Sequence, residues 1–260
     1  MDLAKRRICC TDWSVSVLLP VFNEEATIRQ TVLEMDATLS DLARIYEVIV
    51  VDDGSRDGTA AIVSALRDDH PGLRLVGHTR RLGYGASLRT GLEVARHPCV
   101  AFTDAAGQFD LHDLAWMVPL TDRAPLVVGY RARRQSPWQR RLCSWGFNVL
   151  ARFLLGTRVR DCGCTLKVFR REALANLLPR SEGFVLNAEI LMRARQSGYA
   201  VIEVPVRHRA RPQSGRQVAL VDVLVILAHL LSFWWREVVR GGPPVMTPGS
   251  LLLPTTRRAA

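Results

Sequence analysis

Three short acidic stretches, each closing an apolar run, carry residue types that could do chemistry. They are PVFNEE (Pro20–Glu25), VDDGSRD (Val51–Asp57) and TDAAGQFD (Thr103–Asp110). Carboxylates at strand ends can accept hydrogen bonds from a base and ribose, or hold a divalent cation that neutralises a diphosphate. One such stretch alone says little, because surface Asp-Gly turns are common. Three in order before Asp110 say much more. The third also departs from the Asp-x-Asp spacing suited to a metal-bound diphosphate, because Ala106 stands where the second acid would be. Three outcomes are open: Asp104, Gln108, water and diphosphate complete an octahedron; Asp110 or Asp113 substitutes; or a nucleotide is held poorly.

Positive charge is the counterpart of these acids. The chain has 35 Lys+Arg against 25 Asp+Glu, a net +10, and its arginines gather in Arg131–Arg141, Arg152–Arg171 and Arg207–Arg216. A guanidinium grips phosphate in a bidentate way, so the clustering suits a phosphorylated or anionic-lipid partner, although such clusters are also ordinary solvated faces. Nucleic acid is not expected. No zinc-finger, RNP or helix-turn-helix pattern is present, and the acidic loops oppose it.

Six cysteines lack disulfide-framework spacing, and MDLAKRRICC leads into no apolar signal segment. These features predict a reducing, cytoplasmic setting. Cys162-Gly163-Cys164 is a lone CxC; structural zinc needs four ligands, so ordinary thiols are expected.

The elements that must position these groups alternate as strand and helix. Strands are predicted at Ser14–Pro20, Glu47–Asp53, Leu73–Gly77, Cys99–Phe102, Leu126–Gly129 and Val201–Val206. Asn23 is expected to cap a helix with Glu24 and Glu25 in its first turn and Ile28, Val32, Met35 and Leu39 at helical spacing. Further helices are predicted from Asp57-Gly58-Thr59 with Ile62, Val63 and Leu66 inward, over Ala86–Ala95 after the RLGYGA loop, and over Ser136–Gly156. The expectation is an α/β fold whose mostly parallel sheet is flanked by helices, with its ligand at the carboxyl ends of the strands.

Val218–Trp235 is nearly all apolar and, at ~1.5 Å per residue, about 27 Å long as a helix, just short of a bilayer core. Asp222, His229 and Arg236 make one polar stripe along it. Such a helix would lie at a membrane interface with Trp234 and Trp235 at headgroup level, or pack on the domain or a sister subunit. The expected organisation is an extension over 1–13, a domain over 14–217, this helix within 218–240, and a disordered tail over 241–260.

The chain resembles the family 2 inverting glycosyltransferases, in the dolichol-phosphate mannosyltransferase and polyprenyl-phosphate glycosyltransferase branch. The resemblance runs from Ser14 to Val218 on LLPVFNEEATI, VIVVDDGSRDGTA, RRLGYGASLRTGL, FTDAAGQFD, RDCGCTLKVFRREAL, GFVLNAEILMRA and EVPVRHRAR. It implies a GT-A fold, a Rossmann-like nucleotide-binding sheet. The implied reaction moves a hexose from a nucleotide-sugar, GDP-mannose or UDP-glucose, to a polyprenyl or dolichyl phosphate with inversion.

The same resemblance implies roles residue by residue. Pro20, Phe22, Glu24 and Asp52 or Asp53 would meet the nucleoside, and Asp104 with Gln108 would hold Mg²⁺ or Mn²⁺. Arg131, Arg140 and Ser144 would grip the lipid phosphate, with Lys167, His208 and Arg211 around the phosphates. Asp161 matches a proposed catalytic carboxylate, although an ion pair with neighbouring Arg158 or Arg160 explains it equally. The expected setting is peripheral, on the cytoplasmic face of a membrane, with a membrane subunit or a homodimer through Val218–Trp235 both open. The alternative is a catalytically weak scaffold that binds nucleotide-sugar or anionic lipid, for which Ala106 is the direct support.

Overall fold

The computed structural model describes residues 11–104, 108–132, 138–181, 185–208 and 228–240. Its centre is one seven-stranded sheet in the order β3-β2-β1-β4-β6-β5-β7. The strands are β1 (Thr11–Val21), β2 (Ala43–Asp52), β3 (Leu73–Gly77), β4 (Cys99–Phe102), β5 (Leu126–Arg131), β6 (Lys167–Arg170) and β7 (Val201–Val206). All neighbours pair in parallel except β6, which runs antiparallel to β4 and β5. Valine and isoleucine fill Val48–Val51 of β2 because that half of the strand is buried on both faces, as a covered parallel strand must be.

Helices cover both faces. On one side lie α1 (Ile28–Leu42) and α2 (Thr59–Leu66), followed by the short α4 (Leu114–Met117) with its flanking 3-10 turns; on the other lie α3 (Tyr84–Val94), α5 (Trp138–Leu155) and α7 (Val185–Gln196). The one-turn helix α6 (Leu174–Leu177) packs on α7. Ile28, Val32, Met35 and Leu39 are the buried face of α1, as their spacing predicts. On α2 the fully buried set is Thr59, Val63 and Leu66, with Ile62 only partly covered.

Three local expectations are corrected. Asn23 does not cap α1: that helix starts at Ile28 after Thr27, and Asn23 sits at φ 53° with its side chain accepting from the Arg56 amide at 2.9 Å. Glu24 and Glu25 therefore precede the helix. β1 starts at Thr11, three residues early, with a register irregularity between Thr11 and Ser14. β6 lies within a stretch for which no strand was predicted, because four residues between loop and turn carry no period of their own.

The end of the sheet opposite the carboxyl edge is tied by a buried carboxylate. Glu47 accepts from Ser16 Oγ at 2.6 Å, Arg74 Nη1 at 2.6 Å and the Arg96 amide at 2.8 Å, joining β1, β2, β3 and the segment entering β4. Burial alone would raise its pKa, but these donors outweigh it and hold the carboxyl below its usual range.

Of the C-terminal region, residues 228–234 are α-helical and Trp235–Val239 form a π-helical turn. Leu230 and Phe233 join the core, whereas Leu231, Trp235, Val238 and Val239 are exposed. No helix among the described residues is long and apolar enough to cross a membrane. Most of the 218–235 helix expected from sequence, the tail beyond 240 and the first ten residues lie outside the described residues.

Candidate functional site

Because six strands run in parallel, their carboxyl ends share one edge, and the antiparallel β6 brings the loop before it to that same edge. β1 has β2 on one side and β4 on the other, so the chain reverses direction along the sheet between β1 and β4. Open α/β sheets form their ligand crevice at such a switch point.

The half beyond β1 and β2 is built from two interlocked loops. Ser55 Oγ accepts from the Asn23 amide at 2.9 Å, Thr59 Oγ1 accepts from the Glu24 amide at 2.9 Å, and Glu25 accepts from the Gly58 amide at 3.0 Å. Asp52 in turn accepts from the amide and hydroxyl of Ser55. Phe22 and Glu24 are half-buried on this edge, and Arg81 lies 4.2 Å over the Phe22 ring. Pro20 is buried within β1 opposite Val51, beneath the edge.

Asp53 does a different job from Asp52. Its two oxygens accept from His78 Nδ1 at 2.9 Å, the Leu82 amide at 2.8 Å and the Gly83 amide at 2.8 Å, so it anchors the RRLG loop. Burial opposes its charge, yet those three donors win and lower its pKa. Gly54 allows the close approach: at φ 71°, an added Cβ would lie 2.6 Å from the Arg80 carbonyl carbon.

In the other half, Arg131 at the end of β5 forms a fork with Asp161, Nε to Oδ2 at 2.7 Å and Nη2 to Oδ1 at 2.9 Å. Asp161 is 4% exposed, so this pair is largely withdrawn from water. Burial works against the guanidinium charge, but Asp161 outweighs it and raises the Arg131 pKa, with Asp104 adding to the effect. The loop before β6 is pinned by the Arg160 amide donating to Glu203 at 2.6 Å and the Cys162 amide donating to Asn148 at 2.9 Å. The sequence offered Arg158 and Arg160 as partners of Asp161; Arg160 instead stacks on Tyr130 at 5.1 Å.

Asp104 stands just past the end of β4, with Thr165 Oγ1 at 3.4 Å from Oδ2. Gln108 Oε1 lies 3.0 Å from His208 Nε2, and Phe109 pairs with His208 in an isolated antiparallel bridge. These contacts bring the two residues onto the Asp104 side of the edge. Asp110 and Asp113 are committed elsewhere: Asp113 accepts from the Arg207 amide at 2.7 Å and its Nε at 3.1 Å, and Asp110 binds His112 and Arg207. They fix the exit from β7 and are not spare metal ligands.

Among the described residues no group of three His, Cys, Asp or Glu is assembled to hold a metal. The donor types, a carboxylate at Asp104 and an amide oxygen at Gln108, nonetheless fit Mg²⁺ or Mn²⁺. These ions take hard oxygen ligands, and Mg²⁺ commonly uses one or two carboxylates with waters and substrate phosphates.

Lys167 is a correction to the expected phosphate cluster. It is 0% exposed, and its ammonium donates to Asn187 Oδ1 at 2.6 Å and to the Cys164 carbonyl. Burial lowers its pKa. It props α7 under the site and cannot reach a phosphate from there. Ser144 is half-buried on α5, and its carbonyl accepts from Asn148 at 2.8 Å. Ala106, Arg211 and the Arg140 side chain lie outside the described residues. Sequence reasoning gave no role to Arg81, Tyr84, Asn148, Thr165 or Asn187. All five lay in stretches already marked, Arg81 and Tyr84 in the glycine loop, Asn148 in the Ser136–Gly156 helix, Thr165 in RDCGCTLKVFRREAL and Asn187 in GFVLNAEILMRA, but nothing in residue type singled them out.

Burial also settles the CxC: both thiols are pushed up to about 12. Iodoacetamide at pH 8 should leave Cys162 and Cys164 unmodified in the native chain and label both after unfolding, as read by peptide mass mapping. Native labelling of either would contradict this packing.

The sheet order, the acid-bearing loops on its carboxyl edge and the buried Arg131–Asp161 fork define an α/β nucleotide-binding fold of the GT-A type. The chain belongs to Glycosyl transferase family 2, whose profile matches residues 16–178. It is 32% identical to glycosyltransferase AglD of Haloferax volcanii over 237 residues, covering 87% of this chain and 38% of that protein. It is 30% identical to the undecaprenyl-phosphate 4-deoxy-4-formamido-L-arabinose transferase of Aeromonas hydrophila, over 84% of this chain and 67% of that one. Against the dodecaprenyl-phosphate galacturonate synthase of Rhizobium johnstonii the identity is 29%, with 88% and 69% covered. The chain thus spans well under half of the first relative and about two thirds of the other two.

Among solved structures, glucosyl-3-phosphoglycerate synthase of Mycobacterium tuberculosis in complex with phosphoglyceric acid superposes with a TM-score of 0.64 at 25% identity, over 85% of this chain and 79% of that one. The same enzyme with Mn²⁺, UDP-glucose and phosphoglyceric acid gives a TM-score of 0.60 at 25% identity, over 85% and 80%.

Proposed function

We propose that this chain transfers a hexose from a nucleotide-sugar to a polyprenyl phosphate, with inversion at the anomeric carbon. The observation that carries the reading is the meeting of two unlike halves on one edge: acid-bearing loops after β1 and β2, and the Arg131–Asp161 fork after β5, with Asp104 between them. Sequence relatives named for undecaprenyl- and dodecaprenyl-phosphate products support the acceptor.

In this reading Phe22, Glu24 and Asp52 meet the nucleoside, and Asp53 acts by holding the RRLG loop. Asp104 and Gln108 would hold Mg²⁺ or Mn²⁺, which supplies Lewis-acid neutralisation of the departing diphosphate. A phosphate oxygen of the acceptor attacks the anomeric carbon from the face opposite the nucleotide. The bond to the diphosphate breaks, and its electron pair leaves with the nucleotide. The acceptor is already anionic near neutral pH, so positioning and charge neutralisation outweigh general-base help. Asp161 accordingly serves by fixing Arg131, whose Nη1 is left over from the fork, and not by taking a proton. His208, Arg140, Ser144 and Arg211 are the further residues that would bind phosphate in this reading.

Calorimetric titration with UDP and GDP, in Mn²⁺ and then in chelator, tests the donor half. Metal-strengthened binding of one of them is expected. Ala106→Asp should tighten that binding several-fold by adding a carboxylate; unchanged affinity would remove the argument from the missing acid.

We extend the proposal to a membrane surface. Trp235, Val238 and Val239 are exposed beside exposed Arg236 and Arg240, and Trp145 and Phe153 are exposed on α5. Aromatic and basic residues together suit an anionic bilayer interface. Co-sedimentation with vesicles containing anionic lipid should be salt-sensitive and should weaken in Trp235→Ser; equal binding to neutral vesicles at high salt would contradict it.

A further inference from the structure

We propose that the Tyr84 hydroxyl is a recognition group for the hexose of the donor, resting on the donor-site reading above. Tyr84 is the first residue of α3, directly after Gly83, whose amide Asp53 holds at 2.8 Å. α3 follows β3 and packs back along β1 and β2, so its first turn stands at the carboxyl edge, beside the crevice between β1 and β4. The ring of Tyr84 packs against the core cluster that contains Leu18, Leu88 and Phe102. Its oxygen is buried, yet among the described residues it has no hydrogen-bond partner.

A buried hydroxyl left unmade costs free energy that a phenylalanine would not, so a tyrosine in this place is favoured only if something arrives to pair with it. A phenol is neutral near neutral pH wherever it sits, and this one is close enough to Asp104 for that charge to act on it. A neutral group that can both donate and accept, close to a carboxylate, matches a sugar hydroxyl. The diphosphate is better served by a cation and by the arginines. The loop anchored by Asp53 sets the position of the ring, which links the nucleoside half of the edge to sugar recognition.

Tyr84→Phe removes the oxygen and leaves the ring. UDP-glucose and UDP, and GDP-mannose and GDP, would be titrated in Mn²⁺ onto the full chain and onto the variant, alongside thermal melts without ligand. The expected result is a loss of about tenfold in affinity for the nucleotide-sugar, with the matching nucleoside diphosphate within twofold and the melting temperature unchanged or higher. Equal weakening of both ligands, no weakening of either, or a lowered melting temperature in the variant would overturn the assignment. Failure of the unmodified chain to bind any of the four would instead overturn the donor-site reading, and this inference with it.

Discussion

Asp161→Ala is expected to destabilise the chain by roughly 3–5 kcal/mol and to abolish transfer. The physical reason is the asymmetry of a buried ion pair: removing one partner strands the other charge away from water. Arg131 is 20% exposed at its side chain and Asp161 3%, so solvent offers the orphaned guanidinium little relief. At this chain length the loss corresponds to a fall in melting temperature of about 10 °C. Stability alone does not prove function, so the double variant Arg131→Met/Asp161→Leu is the informative companion. Apolar replacement of both partners should recover much of the stability, since such swaps are often neutral or better. Activity should stay absent, because no guanidinium remains to face the acceptor. Recovery of transfer in the double variant would show the pair to be structural only.

Asp53→Asn should cost on the order of 2 kcal/mol and weaken nucleotide binding without removing any group that touches the nucleotide. An amide can accept on one side only, so its NH₂ would confront an N–H of Leu82 or Gly83, or His78, where a carboxylate now accepts. The pH dependence has a definite sign. The folded pKa of Asp53 lies below 3.8, so its contribution is fully present above that value and is lost as pH falls through the lowered one. Acid unfolding of Asp53→Asn, followed by circular dichroism, should therefore begin at the same or higher pH with a shallower dependence at its acid end. An unchanged acid transition with unchanged nucleotide affinity would mean the RRLG loop needs no anchor.

These two residues show how far the sequence could be read. The parallel half was legible because covered strands are written as apolar runs: β2, β3 and β4 carry that signal, and the four buried positions of α1 carry helical period. The acids at the strand ends were visible for the same reason, each falling within a few residues of the end of such a run. Partnership was not visible. Asp52 and Asp53 are adjacent in sequence, yet one stays with its own turn and the other reaches across to the glycine loop, a choice set by tertiary packing. Asp161 had two arginines as near neighbours and pairs instead with one thirty residues away, because β6 is antiparallel and delivers its loop to the end of β5.

Lys167 illustrates the reverse error. A basic residue in a motif that borders phosphates suggests a phosphate ligand, but its position on β6, between β4 and β5, points it into the interior beneath Phe102. Asn23 likewise has the right type for a helix cap and sits close to a helix; its positive φ turns it toward the neighbouring loop instead. Residue type announced polarity in both cases; strand position decided the direction of Lys167, and a positive φ that of Asn23.

Transfer of labelled hexose from UDP-glucose and from GDP-mannose, offered in parallel to a polyprenyl phosphate and to phosphoglyceric acid with Mn²⁺ or chelator, tests the central claim most directly. Metal-dependent appearance of label in the lipid, and not in phosphoglycerate, is the predicted result. Label in phosphoglycerate alone, or none in either acceptor from a chain that binds the nucleotide, would contradict it.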